Sequence, residues 1–413
     1  MNALVASPCR VHQREDPLPR RPPHGQPHPG RHASDASLTT DRSPVAGPAG
    51  PTMPLPCSAD SGLSRPSQVV RPEGHATPRA PVRTAHALSG RVGHPVADDG
   101  SAPTFSWSFS RAQLLERCER LYYEHYYGAH GGWAANATPR ARLAYRLKQL
   151  TSPNAELGRA VHRRAQEIAH ALRDRMPLPT SAELYGRTRA ELEAVVMRSA
   201  TDAAWLTDPR RAPLLHEAYY GGVSMARRRQ LLTDLCARAV ALHAALLDAP
   251  VWRAAVVPGA RILYVDEPIL TAHEGVSTAY TPDLVLQLPG DRVIVVEWKT
   301  GGSGDMTQPI LYAHAVQSAF GADGVASAYE AWLMHLDRGT MEAVTVTASD
   351  IAMALGAQQT SLERMRDLLV DPTRNVPKPR GTFAHARDPN RACRRCKMFA
   401  LCSPEFNTHS DAE

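Results

Sequence analysis

Two sets of residues in this chain carry side chains suited to metal chemistry. Asp283 with Glu297-Trp298-Lys299 brings two carboxylates and an amine to the ends of neighbouring strands. That is the equipment for hydrolysing a phosphodiester with a divalent cation, which activates water and offsets phosphate charge. Cys118 with Cys393-x2-Cys396-x5-Cys402 brings four thiols, enough to enclose an iron–sulfur cluster or a zinc ion.

Of 47 basic residues only Lys148, Lys299, Lys378 and Lys397 are lysine. Arginine stays charged, whereas a lysine amine has a pKa that burial can tune, so a lysine kept at Lys299 has a chemical rationale. The turn Pro289-Gly290-Asp291, folded symmetrically about Gly290, sets Asp283 opposite Glu297 with Cβ atoms ~5 Å apart. Like charges so opposed destabilise a sheet unless one carboxylate is protonated or a cation lies between them. Glu297 and Lys299 are two apart on a strand and project from one face. Val293-Ile294-Val295-Val296 is apolar on both faces, the pattern of a buried central strand that ends in charge. For Glu-x-Lys taken alone, the alternative is a solvated ion pair where the strand exits.

The elements that must position these groups follow from hydrophobic period. Leu114, Leu115, Cys118, Leu121 and Tyr122 fall at three- and four-residue spacing and predict one helix with Cys118 on its buried stripe. A second helix is expected from about Asn154 to Arg175, with Leu157, Val161, Ile168 and Leu172 on its apolar face. Gly158, one turn before His162, lets that helix approach a sheet closely. Residues 180–250 read as two or three further helices. The period then changes to two: Arg261 to Thr271, Thr278 to Leu288 and Arg292 to Lys299 predict a three-stranded antiparallel meander. A helix from Thr307 to Phe320, with Pro309 in its first turn, precedes two strands, Tyr329 to Leu336 and Met341 to Val346. A last helix spans Ser349 to Leu369.

Composition sets the domain limits. Residues 1–103 hold roughly half of the 35 prolines and no apolar periodicity, so they are expected to be disordered; the alternative is an over-extended start. One domain is expected over 104–405, with a helical insertion at about 176–255, a cysteine-bearing tail at about 372–405 and a disordered end at 406–413. Seven cysteines without a secretory signal favour reduced thiols and metal ligation over a disulfide framework, and a cytoplasmic location. Net charge is +6 and the pI is near 9.0, which favours a polyanionic partner. No stretch reads as apolar over the ~20 residues of a membrane span, so no membrane partner is expected.

Gly158-Arg159-Ala160-Val161-His162, then Pro282-Asp283, Glu297-Trp298-Lys299 and Gln308-x3-Tyr312 resemble in order and spacing the PD-(D/E)XK nuclease superfamily. Within it the set is similar to the RecB-like branch, including AddB-type and CRISPR-associated iron–sulfur exonucleases. The resemblance implies an α/β fold: a restriction-endonuclease-like core with a central mixed sheet in αβββαβ order, a helical insertion and a four-cysteine clasp. It implies that Asp283 and Glu297, with His162 and the Trp298 carbonyl, ligate Mg2+ or Mn2+. Lys299 would position the attacking water or stabilise charge, and Gln308 and Tyr312 would orient Lys299 or the phosphate. His162 could instead be a core histidine, and Gln308 and Tyr312 could cap and pack their helix.

The same branch has one cysteine before the core and three after it, so Cys118, Cys393, Cys396 and Cys402 resemble the ligands of a 4Fe-4S cluster, with Zn2+ the alternative. The expected activity is metal-dependent DNA hydrolysis, as an exonuclease in repair, recombination or defence, acting on single strands or duplex ends. The alternative is a catalytically idle binding or scaffold subunit on the same fold. No G-x4-G-K-[ST] loop occurs, so any helicase would be a subunit in trans. Arg391, Arg394, Arg395 and Lys397 interleave with the cysteines and, with the arginine run at 227–229, suit nucleic acid. The tyrosines at 122, 123, 126 and 127 read as packing behind Cys118.

Overall fold

The computed structural model describes residues 103–302, 304–320, 328–388 and 392–407, with side chains as far as residue 403. Of the segments expected to be disordered, residues 1–102 and 408–413 lie outside the described residues, whereas residues 406–407 belong to the last helix. Strand β1 (Ser106–Trp107) leads into α1 (Phe109–Arg117), which Ser108 caps by accepting from the Arg111 N–H. The expected single helix is two. Cys118 is extended, with φ −172° and ψ 118°, and closes α1 while opening α2 (Glu119–Tyr123). Its Sγ accepts from the Leu121 N–H at 3.4 Å, an N-cap bond that a continuous helix would not need. Cys118 is therefore half-buried at a break rather than on a buried stripe. One π turn (Glu124–Gly128) and α3 (Pro139–Lys148) follow. Tyr122 is fully buried and Arg111 lies 4.1 Å over the Tyr126 ring, so the tyrosine run packs.

After β2 (Leu150–Thr151), α4 (Pro153–Arg173) starts with proline in its first turn and Ser152 as its cap. Leu157, Val161, Ala165 and Ile168 are buried; each large apolar side chain among them contributes about 1.5–3 kcal/mol. The helical stretch that follows holds α5 (Ser181–Val196), α6 (Ala203–Thr207), β3 (Leu214–Leu215), α7 (His216–Tyr220), α8 (Met225–Leu247) and α9 (Pro250–Ala255). That is more elements than the period alone separates. Arg228 is buried and donates to the carbonyls of Val196, Met197 and Arg198. It thus satisfies the orphan end of α5, which removes it from any nucleic-acid surface. The expectation of no membrane-length apolar stretch is corrected here: Met225–Ala255 meets the length and composition of a span, although half of its apolar window is buried inside the protein. α8 packs on α4 and α5.

Turn residues and prolines divide the three expected long strands into five. Asp266, at φ 51°, precedes Pro268 and separates β4 (Arg261–Val265) from β5 (Ile269–His273). Thr281 and Pro282 separate β6 (Val276–Tyr280) from β7 (Leu284–Leu288). β5 and β6 pair with each other, and β6 with β1, in a small sheet ordered β1-β6-β5. β4 and β7 stay with β8 (Arg292–Lys299) in the main sheet. α10 (Thr307–Phe320) crosses over to β9 (Ala328–His335), which runs parallel to β8, and β10 (Thr340–Thr345) returns antiparallel. The main sheet is mixed and ordered β10-β9-β8-β7-β4.

Helix α11 (Ala348–Asp367) ends sooner than expected. Leu369 enters β11 (Leu369–Asp371), which pairs with β12 (Val376–Pro377), and α12 (Phe399–Asn407) closes the described chain. The main sheet is covered on both faces. Leu284, Leu286, Ile294 and Val296 pack with α4 and α8; Val285, Val293 and Val295 pack with α10 and α11. Val293 through Val296 are at most 1% exposed, as their sequence foretells for a central strand.

Candidate active site and cysteine centre

The site forms where β7 begins and β8 ends. Pairing of Leu284 with Val296 and of Leu288 with Arg292 makes a hairpin centred on Gly290. Gly290 and Asp291 take φ of 79° and 54° to turn it, a conformation that glycine reaches without strain. One step beyond that register, Asp283 faces Glu297. Asp283, Glu297 and Lys299 share the parity of Val285, Val293 and Val295, so they point to the face covered by α10.

The side chains form two linked sets. Asp283 Oδ1 lies 3.1 Å from His162 Nδ1, and its Oδ2 accepts from the Trp298 N–H at 2.8 Å. Lys299 Nζ donates to Glu297 Oε1 at 2.8 Å and to Gln308 Oε1 at 2.9 Å. Gln308 Nε2 in turn donates to Tyr312 Oη at 2.8 Å. His162, Asp283, Glu297, Lys299, Gln308 and Tyr312 are thus gathered in one place. His162 reaches it because α4 approaches the end of β8 closely: a Cβ on Gly158 would lie 2.8 Å from Thr300 Oγ1.

Electrostatics mark Glu297 as the strained member. It is 5% exposed; burial, then the nearby Asp283 carboxylate, pushes its pKa up to about 8 against the pull of Lys299. Burial opposes the charged form of His162, but Asp283 outweighs it and raises the imidazole pKa. Tyr312 is raised too, by burial first and Glu297 second. A buried Glu297 whose charge is disfavoured by burial and by the half-buried Asp283 beside it belongs to a donor pair that a cation would relieve. Among the described residues, however, no three His, Cys, Asp or Glu side chains are assembled around one point as a metal-binding group. Asp283 is committed to His162 and the Trp298 N–H, and Glu297 to Lys299. The four expected ligands are neighbours, not a closed coordination set.

Several supporting residues escape a sequence reading. Asp266 donates its N–H to the Asp283 carbonyl at 3.2 Å. With Gly158, His162 and Gln166 it lines a cleft of about 490 Å3, and desolvation there, with Asp283, pushes its carboxyl pKa up. The only local signal is an acid just before a proline at a strand end. Trp298 turns to the opposite face from Glu297 and stacks on Trp252 of α9, with ring centroids 5.6 Å apart. His335 sits opposite Lys299 in the parallel register, buried and held by Glu342 at 2.9 Å and Arg338 at 2.6 Å. Nothing local announces those pairings.

The cysteines come from both ends of the described chain. Cys118, Cys393, Cys396 and Cys402 are all free thiols. Burial raises the Cys393 thiol pKa, and Cys118 adds to it; burial, then Cys118 and Cys393, raises Cys396. Cys402 is pushed up to about 12 by burial, against Arg380, with Cys396 adding. Cys393, Cys396 and Cys402 thus each feel at least one other thiol of the four, but the four are not drawn into a ligand set among the described residues. The ends are instead tied by other bonds: Arg120 Nε to the Phe383 carbonyl at 3.1 Å, its N–H to Ala384 O at 2.9 Å, and fully buried Glu124 to Arg140 and Arg380. Cys236 is half-buried on α8; Cys9 and Cys57 lie outside the described residues.

A model of the PD-(D/E)XK nuclease superfamily matches residues 106–403. No curated protein matches the chain. A solved structure titled "Crystal structure of SSO0001" is similar at 14% identity over 43% of this chain and 80% of that one, with a TM-score of 0.19, too distant to add to the family match.

Proposed function

The chain belongs to the PD-(D/E)XK nuclease superfamily, and on that premise we propose that it is a divalent-metal-dependent deoxyribonuclease, acting as an exonuclease in DNA repair, recombination or defence. The observation that carries the proposal is the opposed pair Asp283 and Glu297 with Lys299 bonded to Glu297 on the same face. Mg2+ or Mn2+, held by Asp283 and Glu297 with His162 and the Trp298 carbonyl, would supply an activated water and compensate charge on the phosphate. An imidazole among the oxygens shifts preference from Mg2+ toward Mn2+.

The chain's own groups do the rest. Lys299 Nζ lies beside Glu297 and can turn an N–H to the attacking water or to a phosphate oxygen. Gln308 keeps that amine in place: Oε1 accepts from Lys299, and Nε2 is fixed by its bond to Tyr312. Asp283 is oriented by His162 and by the Trp298 N–H. The cleft beside His162, at about 490 Å3, falls within the ~300–1000 Å3 usual for ligand sites. The four cysteines would hold a 4Fe-4S cluster, with Zn2+ as the alternative. Cys393, Cys396 and Cys402, whose thiol pKa values are raised first by burial and then by neighbouring cysteines, support this, because metal ligation would remove those protons. The partners would be single-stranded DNA or duplex ends, with a helicase in trans.

The test is cleavage of end-labelled single- and double-stranded DNA, and of RNA, in Mn2+. Lys299→Ala should lower the rate by roughly 10²–10³-fold with an unchanged circular dichroism spectrum. Cleavage by that variant at the wild-type rate would overturn the active-site assignment. Binding without cleavage by the wild type would leave a scaffold role.

A further inference from the structure

We propose that the groove beside the cysteine loop is a second docking surface for nucleic acid, one that holds the sugar-phosphate backbone of a strand; the proposal rests on the nuclease reading and extends it. The groove encloses about 1280 Å3 between the end of α1, residues 384–388 and residues 392–395; none of the candidate catalytic residues lines it, and of the four candidate cluster cysteines Cys118 alone does. Five arginines do: Arg117, Arg364, Arg387, Arg394 and Arg395. Glu116, Glu119 and Asp388 share the wall, but Glu119 is taken up by Arg364 at 3.0 Å and by the Ala384 N–H at 3.0 Å.

Arg117, Arg387, Arg394 and Arg395 are exposed, and among the described residues none has an ion-pair partner. With Glu119 paired to Arg364, these four guanidinium groups outnumber the remaining Glu116 and Asp388 carboxylates of the wall, and the excess positive charge is relieved by an added anion among them. Their planar forks match phosphate oxygens. The rest of the described lining fits a backbone rather than bases or a protein. Apart from His385 no ring faces the groove, so no base-stacking platform exists. Its apolar members are Ala384, Ala386 and Ala392, with none of the large anchors that protein interfaces bury. Binding here is therefore independent of sequence and strongly dependent on salt.

The test uses the full chain carrying Lys299→Ala, so that substrate is not cut, and a fluorescein-labelled single strand read by anisotropy between about 50 and 200 mM salt. Replacing Arg117, Arg387, Arg394 and Arg395 by Ala should flatten the slope of log Kd against log salt by about 0.7 per lost phosphate contact. The full set should flatten it by roughly 2–3 and weaken binding more than tenfold. Arg394 and Arg395 flank Cys393, so metal content and melting temperature are checked. Arg387→Ala alone, away from the cysteines, should still flatten the slope by about 0.7.

Unchanged Kd and slope in the fourfold variant would overturn the proposal, and normal cleavage by the otherwise wild-type chain would show that the nuclease reading stands without it. An arginine-dependent slope in a chain that never cleaves would sink the nuclease reading alone. Tight binding of polyglutamate, lost with the four arginines while oligonucleotide binding is kept, would assign the groove to an acidic protein and also overturn the proposal.

Discussion

Glu297→Gln should make the metal-free protein more stable at alkaline pH, although it removes a residue of the candidate site. Glu297 has a folded pKa of about 8 against an ordinary 4.5. A carboxyl whose pKa rises on folding binds more protons in the folded state, so stability falls as pH rises from about 4.5 to about 8. Each pKa unit is worth about 1.36 kcal/mol, so the full penalty above pH 8 is at most about 5 kcal/mol. Glutamine copies the protonated form, still accepts from Lys299, and does not titrate. Against burial, Asp283 and then Glu297 raise the His162 pKa, so the contribution of its Asp283 pair is lost as pH rises through the folded value. Glu297→Gln also weakens that pull on His162, so the difference between the two proteins reports Glu297 together with its coupling to His162. Urea melts in EDTA at pH 5 and pH 9 measure it. The two should be nearly equal at pH 5, and the variant should be more stable by a few kcal/mol at pH 9. A divalent cation should close the gap by stabilising the wild type alone. A variant less stable than wild type at pH 9 in EDTA would refute the reasoning.

Gln308→Ala unlinks Lys299 from Tyr312 and should lower kcat by about 10-fold or more with KM little changed, whereas Tyr312→Phe loses a single bond, about 0.5–1.5 kcal/mol; steady-state kinetics on a labelled strand separate them. Gly158→Ala gains about 1 kcal/mol of helix propensity but drives its Cβ against Thr300 Oγ1. It should therefore stabilise a Thr300→Ala background more than the wild type, read as a nonzero coupling in a double-mutant cycle. Cys393→Ser, Cys396→Ser and Cys402→Ser should each lose bound iron or zinc by elemental analysis and lower the melting temperature. Cys118→Ser should lose the same metal yet keep its tail docked through Arg120 and Glu124; full metal content there would remove Cys118 from the centre.

How much of this was legible in the sequence follows from range. The hairpin register was readable because Gly290 and a two-residue period fix it locally, and the Gln308-x3-Tyr312 spacing already placed both groups on one helical face. The Cys118 break was hidden: Leu114, Leu115, Leu121 and Tyr122 keep helical spacing across it, and spacing says nothing about a φ of −172°. The split of the long strands was signalled by Pro268 and Pro282, but a run of β-branched residues on either side masked it. Trp252 on Trp298, His335 beside Lys299 and Asp266 on Asp283 join residues distant in sequence, and no periodicity encodes such meetings.

The ties between the chain's ends also set a schedule for synthesis. Arg120 cannot reach the Phe383 carbonyl, nor Glu124 the Arg380 guanidinium, until the ribosome has added more than 250 further residues. At ~5–20 residues per second that is a wait of roughly 12–50 s. Through that interval α2 and the π turn after it carry a guanidinium and a carboxylate destined for burial, beside a tyrosine cluster whose Phe383 partner does not yet exist. The first helices among the described residues are thus the last to be finished, and a ribosome stalled in the C-terminal segment leaves that aromatic face to chaperones.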